Sequence, residues 1–218
     1  MRLLIGATLL AVSAGQASAQ DFILYGGAEL EFLRDEFGEG TGTNSYLEGY
    51  LEAEINGFFA GATYEVANDE ELNEGNLYLG YRGALASGVE YTFYYTRYYY
   101  PNAGGDAGGE YSFEVDVPLG EPVSVSLDLY YLPEFAGSSS LGSAYLGAAW
   151  AVTDAFEVST YYGTYEVDAA DNEEEWEFGA TYYVGEETTF DLRWYDGTDY
   201  VDGYLGLTLN WDTTLLGG

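Results

Sequence analysis

The stretch Val123-Ser124-Val125-Ser126-Leu127-Asp128-Leu129-Tyr130-Tyr131 alternates without a break. Val123, Val125, Leu127, Leu129 and Tyr131 fall on one face, and Ser124, Ser126, Asp128 and Tyr130 on the other. A period of two marks a β-strand, because successive side chains of a strand point to opposite sides. The same pattern recurs on both sides. Residues 111–117 set Tyr111, Phe113, Val115 and Val117 against Ser112, Glu114 and Asp116, and residues 204–211 set Leu205, Leu207, Leu209 and Trp211 against Tyr204, Gly206, Thr208 and Asn210.

Working outward, twelve segments read this way, near 22–34, 45–55, 58–67, 75–83, 88–99, 110–117, 122–132, 143–152, 155–165, 174–184, 187–196 and 201–211. Their length suits a transmembrane strand of ~9–11 residues better than a soluble strand of ~5–6. The segments 75–83 and 187–196 are weak, so ten or eight spanning strands remain alternatives to twelve. The links alternate in length. Short ones are Asn56-Gly57, Ala84 to Ser87, Pro118 to Glu121, Thr153-Asp154 and Gly185-Glu186, and long ones cover 35–44, 68–74, 100–109, 133–142 and 166–173, with a shorter sixth at 197–200. Short turns on one rim and long loops on the other is the plan of an outer-membrane β-barrel, with both termini on the short-turn, periplasmic side.

The composition excludes several function classes. The chain of 218 residues holds 38 acidic residues against five arginines, with no lysine, histidine or cysteine and a net charge of -33. Without histidine there is no Ser-His-Asp machinery and no His metal ligand. Without cysteine there are no disulfides and no thiolate metal sites. So negative a chain repels nucleic acid.

Met1 to Ala19 reads as a signal peptide: Arg2, an apolar run from Leu3 to Val12, and an Ala17-Ser18-Ala19 cleavage site. Residues 20–218 then form a single domain. No later run reaches the ~18 apolar residues of a membrane helix, so the exported chain is a β-barrel or soluble.

Alternation also occurs in soluble sandwiches and lipocalin-like barrels, whose apolar face points inward. The count of long strands favours a membrane barrel. So do aromatics near strand ends, at Tyr98 to Tyr100, Trp150, Phe156 and Trp211. The carboxylates on the opposite face are too many for a dry core and natural for a wet lumen.

Several stretches resemble the TorF-type porins, a family of proteobacterial outer-membrane proteins. They are Gly57-Phe58-Phe59-Ala60-Gly61, Asn76 to Gly83, Val89 to Tyr95 leading to Tyr100-Pro101, Tyr130 to Gly137, and Ser159 to Gly163. The resemblance implies an outer-membrane, porin-like protein and brings no catalytic residues. Ala28 to Gly40 departs from the family pattern. The C-terminus departs too: barrels of this kind usually end on an aromatic, whereas Trp211 is followed by seven residues. Either Trp211 closes the last strand and the rest forms a short tail, or the chain departs from the terminal signal by which such barrels are inserted.

With the apolar face outward, parity assigns the pore-lining residues: Glu48, Glu52, Glu65, Glu90, Glu114, Asp116, Asp128, Glu157, Glu177 and Asp191, with Glu29 and Glu31 beside them. Against these carboxylates stand Arg82 and Arg193, while Arg34 and Arg97 fall on the outer parity near loop ends. Inward Tyr50, Tyr78, Tyr94, Tyr130, Tyr161 and Tyr183 narrow the bore. Acidic pore walls select cations, and this selectivity is expected to weaken in acid.

The expected function is therefore passive diffusion of small hydrophilic solutes, with a preference for cations, through the bacterial outer membrane. Its surroundings would be outer-membrane lipid and lipopolysaccharide, with oligomeric state open. No cofactor or metal and no enzymatic activity is expected. Asp69-Glu70-Glu71, Asp168 to Glu175 and Asp196 to Asp202 are acidic loop clusters with hard oxygen ligands, read here as solvated surface. The alternatives are a non-conducting structural or surface-binding barrel, and a soluble exported acidic β-protein.

Overall fold

The computed structural model describes residues 22–35, 43–135, 140–166, 172–198 and 203–217. Twelve strands follow in chain order: β1 (Phe22–Asp35), β2 (Thr43–Ile55), β3 (Phe58–Ala67), β4 (Glu74–Ala84), β5 (Glu90–Tyr100) and β6 (Gly105–Gly120), then β7 (Val123–Phe135), β8 (Leu141–Thr153), β9 (Phe156–Glu166), β10 (Asn172–Tyr183), β11 (Thr188–Gly197) and β12 (Tyr204–Leu216). Each strand pairs antiparallel with its chain neighbours, and β1 pairs with β12 to close the barrel. Closure removes every sheet edge, which is what lets a sheet cross a bilayer.

The alternation of the sequence becomes the two surfaces of the wall. Phe58, Leu77, Leu79, Leu146 and Phe178 point outward, with Phe58 and Leu77 each 66% exposed. Glu52, Asp128, Tyr130 and Tyr145 on the opposite parity are buried. Apolar side chains outside and polar ones inside invert a soluble barrel and define a transmembrane one. All twelve sequence segments are strands of this barrel.

Local chemistry sets the short turns. Asn56 and Gly57 adopt φ of 54° and 82°, the left-handed pair that a tight hairpin requires, and Ile55 and Phe58 pair directly across it. Among the described residues, the start of β1 and the end of β12 lie on this short-turn rim, since Phe22 pairs with Ile55 and Leu24 with Leu216.

Two boundaries differ from the sequence reading. The residues after Trp211 are no tail: β12 continues to Leu216, with Asp212 opposite Gly27 and Thr213 opposite Gly26. Asp212-Thr213-Thr214 carries no turn signal, so ladder bonds to β1 extend the strand past its last aromatic. β6 is also longer than its alternating core. It runs from Gly105 to Gly120, with irregularities near Tyr98/Tyr99, Gly109/Tyr111 and Pro118/Gly120. Bulges let Gly and Pro sit inside a strand that strict alternation would end.

The signal peptide, the loop 36–42, Ala136 to Ser139, the acidic run 167–171 and residues 199–202 lie outside the described residues.

Candidate functional site: the interior wall

Register brings the interior residues together. On the wall formed by β1 to β4, Glu29 stands opposite Glu48, Glu48 opposite Glu65, and Glu65 opposite Glu74. Directly opposed side chains have Cβ atoms ~4.5–5.5 Å apart, so four glutamates form one row across four strands. Asn76 on β4 donates to Glu74 at 2.7 Å and to Thr63 at 3.1 Å beside this row.

Both interior arginines are held by carboxylates of this chain. Arg82 on β4 reaches past β3 to donate to Glu52 on β2 and pairs with Glu54 at 3.4 Å. Its guanidinium carbon lies 4.1 Å from the centre of the Phe59 ring. Arg193 on β11 contacts Asp191 at 3.2 Å and Glu177 on β10 at 3.3 Å, and donates to Ser159 on β9 at 2.9 Å. It sits 5.5 Å from the centre of the Tyr161 ring. Contacts that skip a strand are possible only between side chains aimed into the barrel.

A third group lies on β6 and β7. Glu114 faces Asp128, and Asp116 faces both Ser126 on β7 and Glu90 on β5. Tyr94 donates to Glu114 at 2.7 Å, and Tyr98 to Glu110 at 3.0 Å. Asp128 is 2% exposed and Ser126 7%. On β9, Glu157 lies opposite Thr181 of β10 and Ala151 of β8. Glu48, Glu52, Glu65, Arg82, Glu90, Glu114, Asp116, Asp128, Glu157, Glu177, Asp191 and Arg193 thus all take interior positions in the register, as do Glu29, Glu31 and the six tyrosines assigned inward.

Further interior acids are Glu54, Glu74, Glu110, Glu173, Glu175 and Asp212. Parity alone would have found the first five, since each lies an even number of residues from an assigned neighbour. Asp212 was hidden by the expectation of a tail. It accepts from Tyr50 at 2.8 Å across the intervening β1.

The loop end of the interior is apolar. Leu33, Tyr46, Ala67 and Tyr204 form one buried cluster, with Tyr195 stacked on Tyr204 at 4.5 Å. Ala107 and Leu132, packed by Tyr98, Tyr100 and Leu141, form another on β5 to β8. Tyr98 and Tyr100 therefore do not belong to the outer aromatic girdle. Only Tyr99 of that trio points outward, because a Tyr run on a strand must alternate.

Arg97 lies on the outer face near the loops and is paired with Asp106. Asp69 caps a single 3₁₀ turn, Glu70–Leu72, by accepting from the Glu71 N–H at 3.1 Å. Among the described residues no three carboxylates converge as ligands of one metal ion.

No family model matches the sequence, and a search of curated proteins returns no match. Solved structures do match in shape. A structure described as "KdgM porin" superposes with a TM-score of 0.62 at 9% identity, covering 85% of this chain and 98% of that one. "NanC porin" gives 0.58 at 10% identity over 88% and 100% of the two chains. "CymD monoaromatic hydrocarbon channel" gives 0.54 at 8% identity over 88% of each. At such identities the likeness is one of fold: the chain has the barrel architecture found in outer-membrane porins and channels.

Proposed function

We propose that this protein is an outer-membrane channel for passive diffusion of small hydrophilic solutes, with a preference for cations. The observation that carries this reading is the charge on the interior wall. Carboxylates come from most of the strands, whereas the interior guanidiniums of Arg82 and Arg193 are each already paired with two of them. A low-dielectric wall with that surplus attracts cations and raises their local concentration. The porin fold of the similar structures and the TorF-like stretches support the channel. The residues assigned above as pore-lining, from Glu48 to Arg193, would set its selectivity. The leader at 1–19 would direct export, and Arg34, on the outer face at the loop rim, suits contact with lipopolysaccharide phosphates.

One similar structure is a KdgM complex with an oligogalacturonate, a polyanion. The sign of the wall here argues for the opposite class of solute. A non-conducting structural barrel is the second reading, favoured by fully buried interior side chains such as Leu132 and Ser112.

Planar-bilayer conductance of the refolded mature chain under a salt gradient tests the proposal. Discrete steps with a cation-selective reversal potential are expected. Insertion without current would overturn the channel in favour of the structural barrel.

A further inference from the structure

The two interior arginines reveal a recurring unit. Each guanidinium is gripped by two carboxylates and lies over an aromatic ring: Arg82 with Glu52, Glu54 and Phe59, and Arg193 with Asp191, Glu177 and Tyr161. A third set on β6 to β8 has the same parts. Glu114 and Asp116 are two apart on one strand, and Asp128 stands across from Glu114. Tyr130 and Tyr145 meet edge to face beside Asp128, their ring centres 5.9 Å apart. This third set has no arginine of its own.

Two atoms there lack what the other sets supply. Asp128 Oδ1 and Ser126 Oγ are buried, and neither has a hydrogen-bond partner among the described residues. Ser126 is a neutral hydroxyl, so its unmet bonding is independent of the acidity around it. Gly147 stands opposite Ser126, and a Cβ on it would come within 2.2 Å of Ser126 Oγ. The wall therefore makes room for this hydroxyl with a glycine and then gives it nothing to bond.

We propose that the Glu114, Asp116, Ser126 and Asp128 set is a binding subsite for the guanidinium or primary ammonium group of a small solute. It rests on the channel reading for access, since the set faces the interior. Glu114 and Asp116 are only partly buried and form the accessible edge of the set. Asp128, directly opposite Glu114, is buried. A buried carboxylate oxygen without a donor is costly, so drawing Asp128 toward a cation at that edge relieves a penalty as well as forming an ion pair. Among the described residues no group of three carboxylates is placed to hold a metal ion, which disfavours a bare metal ion at this set. It suits a planar or multi-donor cation that spans separated acceptors, with tyrosine faces adding a cation–π contribution.

The test uses the full mature barrel in detergent micelles, titrated with methylguanidinium chloride and followed by saturation-transfer NMR. Binding is expected, and Asp128→Asn should weaken it about tenfold, the scale of one charge-assisted hydrogen bond. Ser126→Ala, which leaves the charge unchanged, should weaken it about two- to fivefold, the scale of one neutral bond. Glu65→Gln removes a carboxylate from β3, away from the set on β6 and β7, and should cost less than about twofold. Tetramethylammonium, with charge but no N–H donors, should bind at least about fivefold more weakly. A folded barrel that does not bind methylguanidinium, equal losses in the Asp128 and Glu65 variants, or equal affinity for both cations would overturn the subsite. A barrel that conducts without binding loses only the subsite, and one that binds without conducting loses only the channel.

Discussion

Glu48 on β2 stands directly across from Glu65 on β3, and each has a further glutamate on its other side, Glu29 and Glu74. Like charges directly opposed destabilise a sheet, at ~0.2–1 kcal/mol per pair. Glu65→Gln should therefore raise stability at neutral pH by about that amount, and high salt should shrink the gain. Urea unfolding of the lipid-inserted barrel at low and high salt measures both. A loss of stability at low salt would mean that the row is held by something other than water and counter-ions.

Arg82 supports two carboxylates on a strand it does not touch through the backbone. Arg82→Met keeps apolar contact with Phe59 but leaves Glu52 and Glu54 without their cation. Breaking a buried pair by removing one partner costs roughly 3–5 kcal/mol, reduced here by the partial exposure of the arginine. A further Glu52→Gln substitution should recover part of the loss, and chemical unfolding of the single and double variants compares them.

The selectivity proposed above depends on ionised carboxylates. It should fall as the buffer is acidified from neutral pH and those groups take up protons. The sign follows from the neutral form carrying no field. Reversal potentials recorded at both ends of that range decide it, and an unchanged potential in acid would remove the carboxylates as its source.

Removing residues 212–218 takes away the part of β12 that pairs with the start of β1, together with the Asp212 acceptor of Tyr50. The truncated chain still ends on an aromatic, Trp211. If the seam matters more than the terminal aromatic, it should refold less completely, with a lower yield of the heat-modifiable band on gels. Refolding at the full yield would show that Trp211 suffices.

Gly80 lies on the interior side of β4, opposite Phe59 of β3 and Tyr94 of β5. A Cβ there would meet the Phe93 carbonyl oxygen at 2.5 Å, and backbone cannot step aside. Gly80→Ala should cost about 1–3 kcal/mol, in the range of overpacked sites. Unfolding midpoints of the refolded variant report it, and a neutral outcome would show that the wall flexes at this point.

Much of this architecture lies in the order of residues. Val123 to Tyr131 alternates whatever surrounds it, because the two-residue period belongs to the extended backbone. Asn56-Gly57 demands a tight turn for the same local reason. Parity alone then sorts Glu114 from Phe113, and Arg82 from Tyr81. Tertiary structure decided what parity cannot see. Closure and stagger align Glu29, Glu48, Glu65 and Glu74 in one row, although nothing in their spacing along the chain announces it. Curvature of the wall lets Arg82 reach Glu52 and Tyr50 reach Asp212, each past an intervening strand. Pairing with β1 carries β12 beyond Trp211, and bulges admit Gly105 to Gly109 and Pro118 into β6. Alternation is a property of one strand, whereas register, reach and strand ends depend on its neighbours, and neighbours exist only once the barrel has closed.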